Sequence, residues 1–315
     1  MKIYKYLPGQ KTLSDSVVAL GLFDGLHIGH RRLLESARRI AEERGLNFAV
    51  FTFESESNIK GKSLYTTEQK LALLDDAGVS AAVVAKFSDV SHISAEDFVK
   101  NSLLGDLSCR VAVAGRDFRF GKGASGNASL LSDMLSRVGA EFIAEDEHSI
   151  NGEKISTGKI KELISEGEVD RARELLSVPY FITAYAEHGT GVGHHLGFPT
   201  ANSSFEGGVT PLKKGVYRTA AEISGVLYHA LTNVGTCPTF DERPLHAETH
   251  VIGYSGDLYG KKIRIFFLGY LRDEIKFNSE KELILQIKVD KNRTIKENGE
   301  LKWQEIGLNS PLRET

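Results

Sequence analysis

Two histidines, His27 and His30, stand where a short apolar stretch ending at Leu20 passes through a glycine turn into an amphipathic pattern. The first turn of a helix has unpaired backbone N–H groups and a partial positive charge, so it attracts phosphate. Gly25 and Gly29 would let a phosphate approach, and two imidazoles one helical turn apart could donate hydrogen bonds to an α-phosphate as negative charge develops on it. The pattern therefore predicts a site for nucleotidyl or phosphoryl transfer, although a polar helix-start residue followed by a packed histidine is the plainer alternative.

Two further stretches could reach a nucleotide from other parts of the chain. Residues Gly115 to Gly123 combine glycines, bases and aromatic side chains after an apolar strand, and such a loop could lie over a triphosphate or another phosphate-bearing ligand. In the stretch from Ile155 to Lys161, Ser156 or Thr157 could cap a helix while the lysines that follow reach a leaving pyrophosphate. A basic surface loop and an ordinary helix cap are the alternatives.

Oxygen-bearing side chains also alternate along two later segments. Thr200 and Asn202 fall on one face, and with phosphate oxygens and water they could complete the octahedral coordination of Mg²⁺. A Thr-x-Asn pair is otherwise ordinary turn chemistry. Farther along, His246, Glu248 and His250 alternate onto one strand face, a pattern that also fits a zinc site.

The first half of the chain must supply the scaffold for the two histidines. The helix after them has an apolar stripe and should end near Gly45. Strands and helices then alternate as in a doubly wound α/β domain, in which a parallel sheet has helices on both faces and ligands bind at the carboxyl ends of the strands. The predicted strands are 47–53, 80–85, 110–114 and 140–144, and the predicted helices are 67–77, 95–104, 129–138, 159–165 and 168–176.

The pattern changes at Val178-Pro179, which we take as the boundary between domains of residues 1–178 and 179–315. The second domain has short β-branched or aromatic segments separated by glycine turns, which is the signature of an antiparallel barrel. These segments are 181–188, 216–223, 227–233, 248–254 and 263–270. A helix from Ser279 to about Asn298 should cover the barrel, and the last dozen residues are expected to be loosely held.

Composition limits the kind of protein. The 315 residues include 39 Lys and Arg against 42 Asp and Glu, and a net charge of −3 lacks the basic excess of a nucleic-acid binder. No apolar run is long enough to cross a bilayer and the amino terminus lacks the apolar core of a signal peptide, so the predicted location is cytoplasmic, with no membrane partner. Cys109 and Cys237 indicate neither a zinc site nor a disulfide framework. The sequence leaves the oligomeric state open.

Residues Gly21 to His30 contain every fixed position of the pattern Gly-x-Phe-Asp-Gly-x-His-x-Gly-His. They thereby resemble the motif of the FMN adenylyltransferase half of bacterial bifunctional riboflavin kinase/FAD synthetases. The segment that follows Ala114 is similar to the family's Gly-x-Asp-Phe-x-Phe-Gly, and Gly197 to Asn202 match the Gly-Phe-Pro-Thr-Ala-Asn signature of riboflavin kinases. Further segments follow the family in the same order, so the resemblance covers nearly the whole chain.

The resemblance implies a two-domain enzyme that uses MgATP twice. The barrel would phosphorylate riboflavin to FMN, and the nucleotidyltransferase-like α/β domain would adenylylate FMN to FAD and release pyrophosphate. The implied catalytic residues are Glu248, as the general base of the kinase, and His27 and His30, as contacts to the transition state. The implied nucleotide-binding residues are Gly21, Phe23, Asp24, Gly25, His27, His30, Ser156, Thr157, Lys161, Gly193, Thr200 and Asn202. The implied flavin-binding residues are Asp117, Phe118, Arg119, Phe120, Arg272 and Glu274, and the implied magnesium ligands are Thr200 and Asn202.

Three places depart from the family pattern. Ser55 to Ser57 stand where the family usually has Pro-His-Pro after Thr-Phe-x, and Glu54 and Glu56 put two carboxylates in a region expected to meet anionic substrates. Lys161 replaces an arginine and loses bidentate phosphate geometry, and His194 stands where the glycine-rich segment usually has arginine. Two alternatives therefore stay open: a riboflavin kinase with a degenerate adenylyltransferase domain, and a flavin-responsive binding protein without significant turnover.

Overall fold

The computed structural model describes residues 1–57, 59, 61–150, 152–186, 200–204, 209–236, 245–308 and 311–312. The chain divides into two compact units, residues 1–157 and 158–312. Within the described residues, no helix is both long enough and apolar enough to span a bilayer.

The first unit is built around six parallel strands. Its strands are β1 (Lys2–Lys5), β2 (Ser16–Leu20), β3 (Asn47–Phe53), β4 (Ala81–Ala85), β5 (Cys109–Gly115), β6 (Arg119–Phe120), β7 (Gly126–Asn127), β8 (Glu141–Glu145), β9 (Ser149–Ile150) and β10 (Glu153–Lys154). The main sheet has the order β1-β4-β3-β2-β5-β8, while β6 pairs with β7 and β9 with β10. The chain runs from β2 through β3 to β4 and then crosses to β5 on the other side of β2, so the strand order reverses between β2 and β5.

The helices of this unit begin and end where the sequence supplies caps. They are α1 (Ile28–Arg44), α2 (Thr67–Asp76), α3 (Phe87–Val90), α4 (Ala95–Asp97), continued by π-helical turns over Phe98–Asp106, and α5 (Ala128–Ser136). The stripe that α1 buries consists of Leu33, Leu34, Ala37, Ile40 and Ala41. The helix ends at Gly45, whose φ of 64° is left-handed, so the predicted helix is confirmed.

The edge strand β1 is an element that the sequence did not predict. It has only four residues, three of them exposed, and it pairs with β4 in parallel. A short, charged edge strand lacks the alternating pattern that would reveal it. Tyr6, just beyond the strand, is buried, and its hydroxyl lies 2.7 Å from Ser102 Oγ and 2.9 Å from Asp106 Oδ2. These contacts hold β1 against the π-helical turns.

The second unit is a curled antiparallel sheet with helices. Its strands are β11 (Phe181–Tyr185), β12 (Thr200–Ser204), β13 (Gly215–Ile223), β14 (Val226–Gly235), β15 (His246–Val251) and β16 (Lys262–Arg272), and its helices are α6 (Thr157–Glu166), α7 (Val169–Leu175) and α8 (Glu280–Asn298). The strand order is β11-β16-β13-β14-β15-β12, with every pair antiparallel. The edge strands β11 and β12 contact each other, which makes the sheet an open barrel. The predicted fold class, a doubly wound nucleotidyltransferase-like domain followed by an antiparallel barrel and a helix, is confirmed.

The helix α8 covers part of the barrel, as predicted. Its Ile287 packs against a small cluster formed by Val216, Leu231 and Leu271. The prediction that the last dozen residues are loosely held is wrong for the part that the structure describes. Leu312 is buried and its carbonyl accepts a hydrogen bond from Arg264 Nη2 at 3.4 Å, because apolar side chains near the chain end find a place on the barrel.

Candidate active sites

The loops that follow β2, β3, β5 and β8 meet at one edge of the parallel sheet. Since all six strands run in the same direction, their carboxyl ends share this edge, where ligands of such sheets bind. The histidine motif follows β2 at the point where the strand order reverses. The loop of residues 115–123 follows β5, the neighbour of β2 on the other side of that point. Two of the sequence-predicted segments are thus brought to one edge.

His27 is the N-cap residue of α1, and its side chain turns back onto the helix that it begins. The Nδ1 atom of His27 accepts a hydrogen bond from the backbone N–H of His30 at 3.2 Å. The two imidazole rings stack with centroids 3.6 Å apart and planes 14° from parallel, and Phe23 meets the ring of His30 edge-on at 5.3 Å. The fold therefore brings the two histidines together as a stacked pair.

The surroundings of His27 set its protonation. The residue is only 8 % exposed, and burial, assisted by the neighbouring His148, lowers the pKa of its imidazole from 6.5 to about 4. Because a backbone N–H can only donate, Nδ1 must accept, and the proton of the neutral ring is on Nε2. His27 is therefore an uncharged hydrogen-bond donor near neutral pH.

The loop before α1 is held in an unusual backbone conformation. Phe23 and Leu26 have φ angles of 49° and 42°, in the left-handed region, although both side chains are fully buried. Gly25 has a φ of 92°, and a Cβ at Gly29 would lie 3.2 Å from the ring of His27. Strain of this kind persists only where the surrounding structure enforces it, and it clusters at ligand sites. The two glycines thus permit the conformation that places the histidines.

Asp24 joins the histidine loop to two other segments. Its buried carboxylate accepts a hydrogen bond from the backbone N–H of Leu64 at 2.8 Å. Its carbonyl oxygen accepts a hydrogen bond from Thr157 Oγ1 at 3.0 Å. Thr157 is the first residue of α6, so Ser156 and Thr157, which are predicted to contact the nucleotide, lie beside the histidine motif. Lys161 lies one turn farther along α6, among the residues of the second unit.

The four implied flavin contacts in the loop after β5 differ in how far they are buried. Phe120 is buried and packs over Gly126, where a Cβ would lie 2.6 Å from its ring. Phe118 is partly buried and stacks on Phe120 with centroids 5.7 Å apart and planes 16° from parallel. Asp117 and Arg119 are exposed. Phe118 is therefore the partly exposed aromatic residue of this group, and Phe120 supports it from the core.

One of the two carboxylates in the segment 54–57, that of Glu56, is held by α2. Glu56 accepts hydrogen bonds from the backbone N–H of Thr67 at 3.2 Å and from the Thr67 hydroxyl. Although partial burial opposes the change, these hydrogen bonds hold the pKa of Glu56 below its ordinary value. The backbone N–H of Ser55 donates to Thr67 Oγ1 at 2.9 Å. The segment is thus tied to the start of α2, an arrangement that sequence reasoning missed because the partner lies eleven residues away.

In the second unit, the register of three strands places polar side chains side by side. Asn202 on β12 pairs with Glu248 on β15, and Glu248 pairs with Asn233 on β14. Thr200 shares the face of Asn202, and both are partly exposed while the intervening Ala201 is buried. Side chains opposite each other in antiparallel strands have Cβ atoms about 5 Å apart. A carboxylate therefore lies between two amides in what we call the Asn202–Glu248–Asn233 row.

The environment of Glu248 raises its proton affinity. Its side chain is exposed on the strand, yet desolvation by the surrounding atoms raises the pKa of its carboxyl above the ordinary value. His246 opposes this rise, and the nearby Glu274 adds to it. A carboxylate with a raised pKa is a better proton acceptor, so the environment favours a general base.

Arg272 and Glu274, the implied flavin contacts of this unit, also hold other parts of it. Arg272 Nε and Nη2 donate to Asp290 Oδ2 on α8 at 3.0 and 2.8 Å, and Asp290 is 3 % exposed. Asn233 Nδ2 donates to Glu274 Oε1 at 3.3 Å. The structure thus uses Arg272 to fix α8 against β16, and it ties Glu274 to the row of Glu248.

Three buried threonines behind the row form a ladder that sequence reasoning missed. Thr232 Oγ1 lies 2.9 Å from Thr219 Oγ1 and 3.0 Å from Thr249 Oγ1, and all three residues are fully buried. They occupy the face opposite to Glu248, because side chains alternate along β15. The sequence shows only that a threonine recurs on otherwise apolar strand faces. Which threonines meet depends on the register of the strands.

Several sequence predictions have no counterpart in these contacts. Gly193, His194 and Cys237 lie outside the described residues. In the part of the chain that the structure describes, which includes His246, Glu248 and His250, no three His, Cys, Asp or Glu side chains group as a metal site. Cys109 is a buried free thiol in β5, where burial raises its pKa to about 12.

An uncharged donor such as His27 at the switch point of a doubly wound sheet suits the phosphates of a nucleotide. A proton-accepting carboxylate beside hard oxygen donors suits phosphoryl transfer to an alcohol. Fold and sites together define a class, the two-domain transferases that act on nucleotides.

Comparisons with known proteins identify the family within this class. Residues 9–159 match the family FAD synthetase, and residues 176–297 match the family Riboflavin kinase. The chain is 35 % identical over 295 residues to the bifunctional riboflavin kinase/FMN adenylyltransferase of Bacillus subtilis, covering 90 % of this chain and 92 % of that protein. It is 33 % identical over 290 residues to that of Haemophilus influenzae, covering 89 % and 93 %. The chain belongs to the bifunctional riboflavin kinase/FMN adenylyltransferase family.

A solved structure shares the fold over most of the chain. It is a crystal structure described as a macrolide-efflux protein from Streptococcus pneumoniae, with a TM-score of 0.85 and 28 % sequence identity. The match covers 93 % of this chain and 99 % of that one.

Proposed function

We propose that this protein makes flavin cofactors in two steps, both with ATP. The second domain transfers the γ-phosphoryl group of ATP to riboflavin and yields FMN and ADP. The first domain transfers the adenylyl group of another ATP to FMN and yields FAD and pyrophosphate. Family membership supports both activities, and the observation that carries the proposal is the stacked His27–His30 pair, which offers an uncharged donor at the switch point of the sheet.

In the adenylyl step, an oxygen of the FMN phosphate attacks the α-phosphorus of ATP while the bond to the leaving pyrophosphate breaks. The FMN phosphate is already anionic near neutral pH, so the step requires no protein base. His27 donates a hydrogen bond from Nε2 to the phosphate oxygens on which charge increases in the transition state. His30, whose ring stacks on that of His27, stabilises the charge on the same oxygens. Asp24 and Thr157 hold the loop that carries both histidines. Phe118 offers the flavin ring a stacking surface.

In the kinase step, Glu248 accepts the proton of the riboflavin hydroxyl as its oxygen attacks the γ-phosphorus of ATP. Its raised pKa matches this role. Asn202 and Asn233 flank it in the row across the sheet. Arg272 supports this site indirectly, because its hydrogen bonds to Asp290 hold α8 against the barrel.

Thr200 and Asn202 are the residues that would hold Mg²⁺. The donors fit, since both side chains offer neutral, hard oxygens on one face of β12, and Mg²⁺ takes few protein ligands besides phosphate oxygens and water. When bound, the ion neutralises part of the charge of the triphosphate. Glu248 is the register neighbour of Asn202 and is therefore beside this position.

The other site assignments stay predictions. As nucleotide contacts these are Gly21, Gly25, Ser156, Lys161 and Gly193, and as flavin contacts Asp117, Arg119 and Glu274. The domain boundary at Val178-Pro179, the cytoplasmic location and the lack of nucleic-acid partners also stay predictions.

One incubation tests the proposal. The protein is mixed with riboflavin, ATP and Mg²⁺, and riboflavin, FMN and FAD are separated by chromatography. We expect FMN to appear first and FAD to follow. FMN without FAD would support a monofunctional riboflavin kinase, the second candidate, which the unusual Glu54–Ser57 segment favours. Unchanged riboflavin would leave a flavin-binding protein.

A further inference from the structure

A buried lysine lies at the edge of the adenylyltransferase site. Lys70 on α2 is 3 % exposed, and among the residues that the structure describes it is the only buried lysine. Its Nζ donates a hydrogen bond to the carbonyl oxygen of Phe53, the last residue of β3. Since β3 is the neighbour of β2, this carbonyl lies at the edge where the histidine loop begins. A buried ammonium group needs hydrogen bonds and opposite charges around it.

Three carboxylates supply these charges. Asp24 comes from the loop after β2, and Glu56 and Glu54 come from the segment after β3. Burial lowers the pKa of Lys70 to about 8, and each of the three carboxylates opposes that change. Because the charged form of a lysine exists below its pKa, Lys70 is mostly charged at pH 7 and loses its charge as the pH rises through about 8.

The same carboxylates belong to segments that are tied together by hydrogen bonds. Asp24 accepts from the backbone N–H of Leu64, and the neighbouring Ser63 donates from Oγ to the carbonyl of Ser55 at 2.9 Å. Glu56 accepts from Thr67, one turn before Lys70 on the same helix. Lys70 is therefore the positive charge at a junction of the histidine loop, the Glu54–Ser57 segment and α2.

We propose that Lys70 is a positioning residue for FMN adenylylation, in which its buried ammonium group holds Asp24 and the Glu54–Ser57 segment in place at the edge of the site. The inference rests on the proposed adenylyltransferase activity and deepens it. With Lys70 charged, its ammonium group offsets part of the negative charge of the three carboxylates; with Lys70 neutral, that negative charge is left to repel the anionic FMN. Loss of the charge should therefore raise KM for FMN more than it lowers kcat.

The test is the pH profile of FAD formation from FMN and MgATP, from about pH 6.5 to about 9.5, with FMN formation from riboflavin followed in parallel as the control. In the parent protein, kcat/KM for FMN should fall about tenfold as Lys70 deprotonates. Lys70→Arg keeps a charge over the whole range, so the alkaline fall should disappear. Lys70→Met keeps the length of the side chain without the charge, and its kcat/KM should be low and nearly independent of pH.

Glu56→Gln gives an independent test that leaves the lysine in place. It removes a carboxylate that favours charged Lys70, so the midpoint of the alkaline fall should move to lower pH. Thermal unfolding shows whether each variant is folded. If the parent makes FMN but no FAD, the proposed function of the first domain fails and the role of Lys70 fails with it. If the parent makes FAD and Lys70→Arg keeps the alkaline fall, or Lys70→Met equals the parent, only the role of Lys70 is overturned.

Discussion

His27 combines two tasks that substitution can separate. Through Nδ1 it caps α1, and through Nε2–H it is placed to stabilise charge on a phosphate. Asparagine is among the best N-cap residues, and its Oδ1 can accept the N–H of His30 as Nδ1 does now. It does not reproduce the Nε2–H. His27→Asn therefore removes the donor and keeps the cap, whereas His27→Ala removes both.

The structure gives the expected size of each effect. Loss of an N-cap side chain costs about 0.5–2 kcal/mol, so the alanine variant should be less stable than the asparagine variant by about 1 kcal/mol. Removal of one preorganised donor to a developing oxyanion lowers kcat about 10²- to 10³-fold. His27 is nearly fully buried and uncharged, which are the conditions under which such a donor acts most strongly. Both variants should thus lose FAD formation to a similar extent.

The assay is FAD production at saturating FMN and ATP by the parent and both variants, together with thermal unfolding and riboflavin phosphorylation. FMN formation should be equal in all three proteins. A His27→Asn variant with kcat within a few-fold of the parent would refute the role of Nε2–H. Equal stability of the two variants would refute the role of Nδ1 as the cap of α1.

Three further predictions concern the kinase. Glu248→Gln should lower FMN formation about 10²- to 10⁴-fold and leave riboflavin binding, followed by flavin fluorescence, nearly intact; turnover close to that of the parent would return Glu248 to an ordinary strand residue. Asp290→Asn removes the buried negative charge with which Arg272 pairs, so it should destabilise the kinase unit by up to about 3 kcal/mol and raise KM for riboflavin. An unchanged unfolding temperature would show that the Arg272–Asp290 pair does not stabilise this unit. The fragment 179–315 should fold and make FMN, with 158–315, which retains the α7 packing on β16, as its control; activity in the longer fragment alone would move the boundary to the amino-terminal side of α6.

Local patterns in the sequence determine the elements whose signals lie within a few residues of one another. The apolar stripe from Leu33 to Ala41 and the glycine at 45 define α1 from one end to the other, because periodicity and caps are properties of neighbouring residues. The placement of His27 and His30 at the start of that helix follows from the same reasoning. The alternation of strands and helices likewise predicts the parallel sheet, and the short β-branched or aromatic segments that follow it predict the barrel.

Only the tertiary structure decides which distant side chains meet. Asn202, Glu248 and Asn233 form a row because β12, β15 and β14 pair in one register, and register depends on hydrogen bonds between strands far apart in the chain. The family resemblance predicts that the carboxylates of 54–57 lie near anionic substrates, whereas the folded chain ties Glu56 to Thr67 and buries Lys70 of α2 against the end of β3. Burial and charge pairing arise when helices and strands pack, so no spacing along the chain can reveal them.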